Sequence, residues 1–202
     1  AFSSNPVNRI AMNAVTSAGL LAASKNPMAQ RESRHSYSIS LEQGEITNQK
    51  QSGRCWMFAA LNTFRFEVMK NLNLKTFELS QNYTLFYDKL EKSNYFLESI
   101  LETLDEPTQG RLISFLLSAP LGDGGQWDML CNLVRKYGVV PKEAMPETVS
   151  SSATREMTSA LTRKLREDAC RLRKAYADGS TLDELRQKKE AMMEEIYRVL
   201  CI

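Results

Sequence analysis

The sequence is sparing with the features that betray a partner by composition alone. Its 202 residues hold one histidine, His35, and 26 Lys and Arg stand against 24 Asp and Glu, a net charge of +2. No excess of one sign therefore marks a nucleic-acid or membrane-surface binder. Long apolar runs are missing. The longest near-apolar stretch, Leu112 to Leu121, is interrupted by Ser114, Ser118 and Pro120 and is far shorter than a bilayer requires. Four scattered cysteines, Cys55, Cys131, Cys170 and Cys201, form no CxxC pair, which excludes a disulfide scaffold and points to reduced thiols in the cytoplasm. Nine Gly and six Pro exclude a collagen-like fibre, and there is no internal repeat or low-complexity segment. No basic region precedes the mildly apolar run around Ala18 to Ala23, so no secretory signal is read. The chain also lacks an initial Met, as a processed or partial product would. What remains, 43% hydrophobic and 25% charged residues, suits one domain, or one and a half, with a buried core.

Along the chain, residues up to about Gln30 read as an Ala, Ser and Asn-rich arm with at most one short helix. Tyr37, Ile39 and Leu41 alternate with Ser36, Ser38 and Ser40, a period of two that predicts a short half-buried strand. A loop from Glu42 to Gly53 leads into a helical pattern at Met57, Leu61, Phe64 and Val68, predicted to be buried on most sides. Ser80 caps a second predicted helix with Pro107 beyond its end. Arg111 to Ser118 reads as a third, and Trp127, Leu130, Cys131 and Val134 mark a fourth, stopped by Gly138 and Pro141. Two charge-rich helices follow, with stripes at Met157, Leu161, Leu165, Leu172 and at Leu182, Leu185, Met192, Ile196, Val199. Thr181 and Glu184 fit a capping box for the second. Cys131, Cys170 and Cys201 read as core residues, because free cysteine behaves as a small hydrophobe. The six basic residues between Arg163 and Lys174 interleave with Glu167 and Asp168 and read as a solvated face, not as a phosphate-binding surface.

One segment stands apart, Thr47 to Phe58. It places Cys55 in the first turn of a buried helix, directly after the Ser52-Gly53 turn, with Gln49 six positions upstream. Backbone N–H groups at a helix N-terminus favour thiolate over thiol, and Lys50 and Arg54 would add to this if they faced inward. A thiolate attacking a peptide carbonyl creates an oxyanion, for which the Cys55 N–H and the Gln49 side-chain amide are candidate donors. Trp56 would wall such a site.

Gln49, Gly53, Cys55 and Trp56 resemble the nucleophile motif of papain-like cysteine proteases. The fuller string is more similar to the bleomycin hydrolase and aminopeptidase C branch. Glu78 to Gln81, Gly122 to Met129, Lys136 to Lys142 and the Met193 to Ile196 region match in the same order. The resemblance covers about Arg31 to the end. It implies an α+β papain-like fold, here incomplete and predominantly α-helical with little strand. Residues 1–45 would be an N-terminal arm and short strand, 46–148 the helical nucleophile-bearing half, and 149–202 a helical insertion cut off before the barrel half.

The function implied is a cysteine-type aminopeptidase that cleaves N-terminal residues from peptides through a Cys55 acyl-enzyme, with no metal or organic cofactor. Gln49 would serve the oxyanion, and Gly53, Trp56, Gly124 and Gly125 the substrate. Gly124 and Gly125 equally read as a plain turn. The resemblance further implies a homohexamer acting on peptides, while the balanced charge and short apolar runs argue against nucleic acid and membrane as partners. Secreted relatives of this fold carry cysteines where Ser52 and Asp123 stand, so their bridge cannot form here. The family's catalytic His and Asn lie further downstream than Ile202, and His35 occupies a position the family does not use for catalysis. The alternative from another class is a catalytically silent fragment acting as a helical assembly module; nucleic-acid binding near Arg171 is a weaker third.

Overall fold

A computed structural model of the chain describes residues 2–32, 36–41 and 44–202. It divides into two units, Ala1–Leu41 and Glu42–Ile202. The first is more helical than its composition suggests. Asn5 accepts a hydrogen bond from the Val7 N–H and Pro6 fills the first helical position, starting α1, Pro6–Ala18; both residue types favour a helix start. Short helices α2, Leu20–Ala23, and α3, Pro27–Glu32, follow. The predicted strand does not form. Residues 36–41 carry no strand, and Tyr37 and Ile39 are 77% and 76% exposed. A strand needs a neighbouring edge for its N–H and C=O groups, and the described residues contain only isolated bridges.

The second unit is built from α4, Cys55–Leu72; α5, Gln81–Glu102; α6, Arg111–Ser118; α7, Trp127–Tyr137; α8, Val149–Ser152; α9, Arg155–Ala177; and α10, Leu182–Leu200. The predicted caps are present. The Ser80 hydroxyl accepts from the Tyr83 N–H, and Thr181 and Glu184 cap α10 reciprocally. Gly179 joins α9 to α10 at φ 95, a left-handed conformation that only glycine adopts without strain.

The core lies where α5, α9 and α10 meet. Phe96, Leu97, Ile100, Leu161, Leu165, Leu172, Leu185 and Ile196 are buried together there. Leu165→Ala is expected to cost about 2–5 kcal/mol, because the removed side chain leaves a cavity that rigid neighbours fill poorly. Chemical denaturation of the two proteins gives the difference directly.

Helix α7 departs from its predicted face. Leu130 and Leu133 are buried, whereas Trp127 is 65% exposed and Cys131 is half-buried. The helix turns the Leu130–Leu133 edge inward, so a stripe drawn through Trp127 lies about a quarter of a turn off. Cys170 and Cys201 are exposed, contrary to the core reading; on α9 the buried positions beside Cys170 belong to Ala169 and Leu172. Helix α4 buries Met57, Phe58, Ala60, Leu61, Arg65 and Met69, so a charged residue shares the apolar face. The Arg65 guanidinium is held there by the Glu45 carbonyl at 2.6 Å.

Candidate active site

The loop that delivers Cys55 is shaped by its own polar residues. The Lys50 N–H donates to the Asn48 side chain at 2.8 Å, and Lys50 turns through φ 54. The Ser52 hydroxyl donates to the Gln49 carbonyl at 2.6 Å, and the Gln49 amide donates to the Ser52 carbonyl at 2.8 Å. This pair of bonds fixes the Gln49 side chain against the turn. An amide nitrogen carries two hydrogens, so one remains for another acceptor. Cys55 then appears as the first residue of α4, exposed and free.

Two clasps hold this loop from outside. In one, Asp123 reaches across to accept from the Gly53 N–H at 2.9 Å, from Lys89 Nζ at 2.5 Å and from the Thr154 hydroxyl at 2.5 Å. Burial raises the Asp123 carboxyl, but the Gly53 N–H, Lys89 and Thr154 together outweigh it and bring the group down to about 2. Burial acts in the opposite sense on Lys89, whose ammonium lies below its ordinary value despite the pull of Asp123. Next to it, burial pushes Asp88 up to about 6 against the opposing pull of Lys92 and Lys89. Lys92 in turn donates to the Gly122 and Gly124 carbonyls at 3.0 and 2.7 Å. The 122–125 loop is thus carried on the polar edge of α5.

In the other clasp, fully buried Arg54 forms a bidentate pair with Glu147, at 2.9 and 2.8 Å. Its Nε donates to the Ser52 hydroxyl at 2.8 Å. Burial pushes Glu147 up, but Arg54 and then Ser151 hold it below its ordinary value. The Gln51 N–H donates to the Ser152 carbonyl at 2.9 Å, completing a parallel bridge with Ala153. Arg54 is therefore committed elsewhere and Lys50 is exposed.

Trp56 links the cysteine to the glycine loop. Its indole N–H donates to the Asp123 carbonyl at 2.8 Å, and its ring lies so close to Gly125 that a Cβ there would stand 2.5 Å from it. At Gly53 a Cβ would meet that of Asp123 at 2.9 Å. Gly124 has open space around it. A cleft of about 710 Å³ adjoins the Asp123 clasp, bordered by Gly53, Asp123 and Thr154, but neither Cys55 nor Trp56 lines it. It is not assigned to substrate.

Of the residues singled out in the sequence, Gln49, Gly53, Gly124 and Gly125 belong to these two loops, and Cys55 and Trp56 open α4 between them. His35 lies outside the described residues. Glu147, Lys89 and Thr154 went unmarked in the sequence. Lys89 left a faint signal as a charge on the buried side of α5, and Glu147 left none.

An exposed cysteine thus opens a buried helix, and the tryptophan after it ties that helix to a glycine loop. The chain belongs to the Peptidase C1-like family, which it matches over residues 1–202. It is 48% identical over 196 residues to Aminopeptidase C of Listeria monocytogenes, an alignment covering 97% of this chain and 44% of that protein. Bleomycin hydrolase of Homo sapiens is 44% identical over 203 residues, covering 98% of this chain and 45% of that one. A crystal structure of PepW from Lactobacillus rhamnosis superposes with a TM-score of 0.89 at 48% identity, covering 98% of this chain and 45% of that chain. These similarities set the chain in the bleomycin hydrolase and aminopeptidase C branch of cysteine peptidases. It spans less than half the length of the relatives it matches.

Proposed function

We propose that these residues are the nucleophile-bearing part of a cysteine aminopeptidase, in which Cys55 attacks the carbonyl of the first peptide bond. The observation that carries the reading is the placement of an exposed thiol at the first position of α4, where backbone N–H groups converge. The sulfur adds to the carbonyl carbon and the oxyanion forms against the Cys55 N–H and the free hydrogen of the Gln49 amide. The amine leaves with a proton, and water then releases the acyl group to regenerate the thiol. The proton carrier belongs to a downstream histidine, oriented by an asparagine, neither being among the 202 residues. Gly53 and Trp56 shape the wall, and Gly124 and Gly125 present backbone to an extended peptide in the manner of an added strand. Within this proposal residues 46–148 form the nucleophile-bearing half and 149–202 an insertion. The complete protein works as a homohexamer in the cytoplasm, without cofactor.

The test begins with thiol reactivity. Iodoacetamide near neutral pH is expected to alkylate Cys55 faster than Cys170 and Cys201, although all three are exposed, because only Cys55 sits at a helix N-terminus. Peptide mapping by mass spectrometry orders the rates. Equal labelling in a folded sample would remove the nucleophile and leave the reading of a silent helical assembly module.

A further inference from the structure

The Arg54–Glu147 pair is an unusual investment. A guanidinium with no exposed surface sits one residue before the cysteine, and its carboxylate partner comes from a segment 93 residues away. Such a pair gains little stability over apolar residues of the same volume, so its shape invites a positional reading. The guanidinium is planar and holds Glu147 through two parallel bonds. That leaves Nε fixed in direction, and Nε holds the Ser52 hydroxyl at 2.8 Å. With its lone pair so engaged, the Ser52 hydroxyl must aim its proton elsewhere, and it donates to the Gln49 carbonyl at 2.6 Å. Gln49 closes the circuit by donating its amide to the Ser52 carbonyl. Glu147 is itself steadied by the Ser151 hydroxyl at 2.7 Å, and the Arg54 guanidinium lies 5.1 Å over the Phe58 ring.

We infer that Glu147, Arg54 and Ser52 form a buried relay whose role is to position the Gln49 amide for the oxyanion. None of the three touches the substrate; they act through Gln49, so they are positioning residues. The inference rests on Gln49 serving the oxyanion as proposed above. A donor that acts only on the developing charge must already stand in place when the charge appears. A glutamine on a loop, with three rotatable side-chain bonds, meets that demand only if the loop and the amide are held.

The test uses the catalytically competent protein, either the longer natural chain or the 202 residues completed by the downstream half of a related aminopeptidase C. Ser52→Ala and Glu147→Gln are each expected to lower kcat on an aminoacyl-amide substrate by roughly tenfold, part of the roughly 10² that loss of a whole donor costs. KM and the rate of Cys55 alkylation stay within about twofold, since neither involves an oxyanion. In a Gln49→Ala background the same two substitutions lower kcat by less than about threefold, because no donor is left to misplace. Ser52→Ala keeps the buried pair intact, so its result stands even if Glu147→Gln fails to fold. Unchanged kcat in Ser52→Ala, or equal losses with and without Gln49, would overturn the relay while leaving the peptidase reading in force. Gln49→Ala without effect on kcat would instead remove the oxyanion role, and the relay with it.

Discussion

Replacing Cys55 by alanine is expected to lower kcat/KM on aminoacyl-amide substrates by several powers of ten in the catalytically competent protein. Losing the nucleophile of a concerted set typically costs about as much as losing the whole set, near 10⁶-fold. Gln49→Ala should cost roughly 10² or more, the scale of one oxyanion donor. By the same reasoning the 202 residues by themselves should be nearly inert. Attack by a thiolate leads nowhere unless the leaving amine receives a proton, and the proposed donor lies outside them. A fluorogenic aminoacyl-amide assay on both forms decides the matter. If the 202 residues alone turn over at about 1 per second or faster, a typical enzymatic rate, and His35→Ala stops them, then the missing base has been misassigned and His35 carries it.

Asp123→Ala is expected to be the most destabilising change at the site, by about 3–5 kcal/mol, because it leaves the buried Lys89 ammonium without its carboxylate. The cost falls on the fold first and on catalysis second, through the loss of the anchor on the Gly53 N–H. Lys89→Met in the same background should recover part of the loss, since the stranded charge is then gone. The pH dependence has a definite sign. The folded value of Asp123, about 2, lies below its ordinary 3.8, so its contribution is fully present above about pH 4 and is lost as pH falls towards 2. Denaturant midpoints for the parent protein and Asp123→Asn should therefore differ most near neutrality and converge in acid. A constant difference across that range would show that the carboxylate's charge is not what holds the loop.

How much of this was legible beforehand depends on the distance over which each signal acts. Ser80, Thr181 with Glu184, and Gly138 announce helix ends because a cap is a contact within three or four residues. Cys55 at the head of α4 was legible for the same reason, the Ser52-Gly53 turn lying beside it. The alternation at Tyr37, Ile39 and Leu41 misled because a strand is a property of two segments, and periodicity reports one. Trp127 misled because helical spacing tells which residues share a face and not which face turns inward. Arg54 and Glu147 were the least legible. A charge next to the nucleophile suggested a partner for the thiol, whereas the structure turns it into the interior towards a residue 93 positions away.

The reach of the two clasps also sets an order of events during synthesis. Asp123 binds residues 70, 34 and 31 positions from it, and α4 and α5 satisfy their own backbone bonds without any of these. Contacts between distant segments must first meet the entropy of closing the intervening loops. A growing chain therefore exposes Cys55 long before it can order the residues around it, and only once Thr154 has emerged can the clasp close. Until then the thiol belongs to a helix end that nothing yet holds, so the nascent chain carries the cysteine before its surroundings.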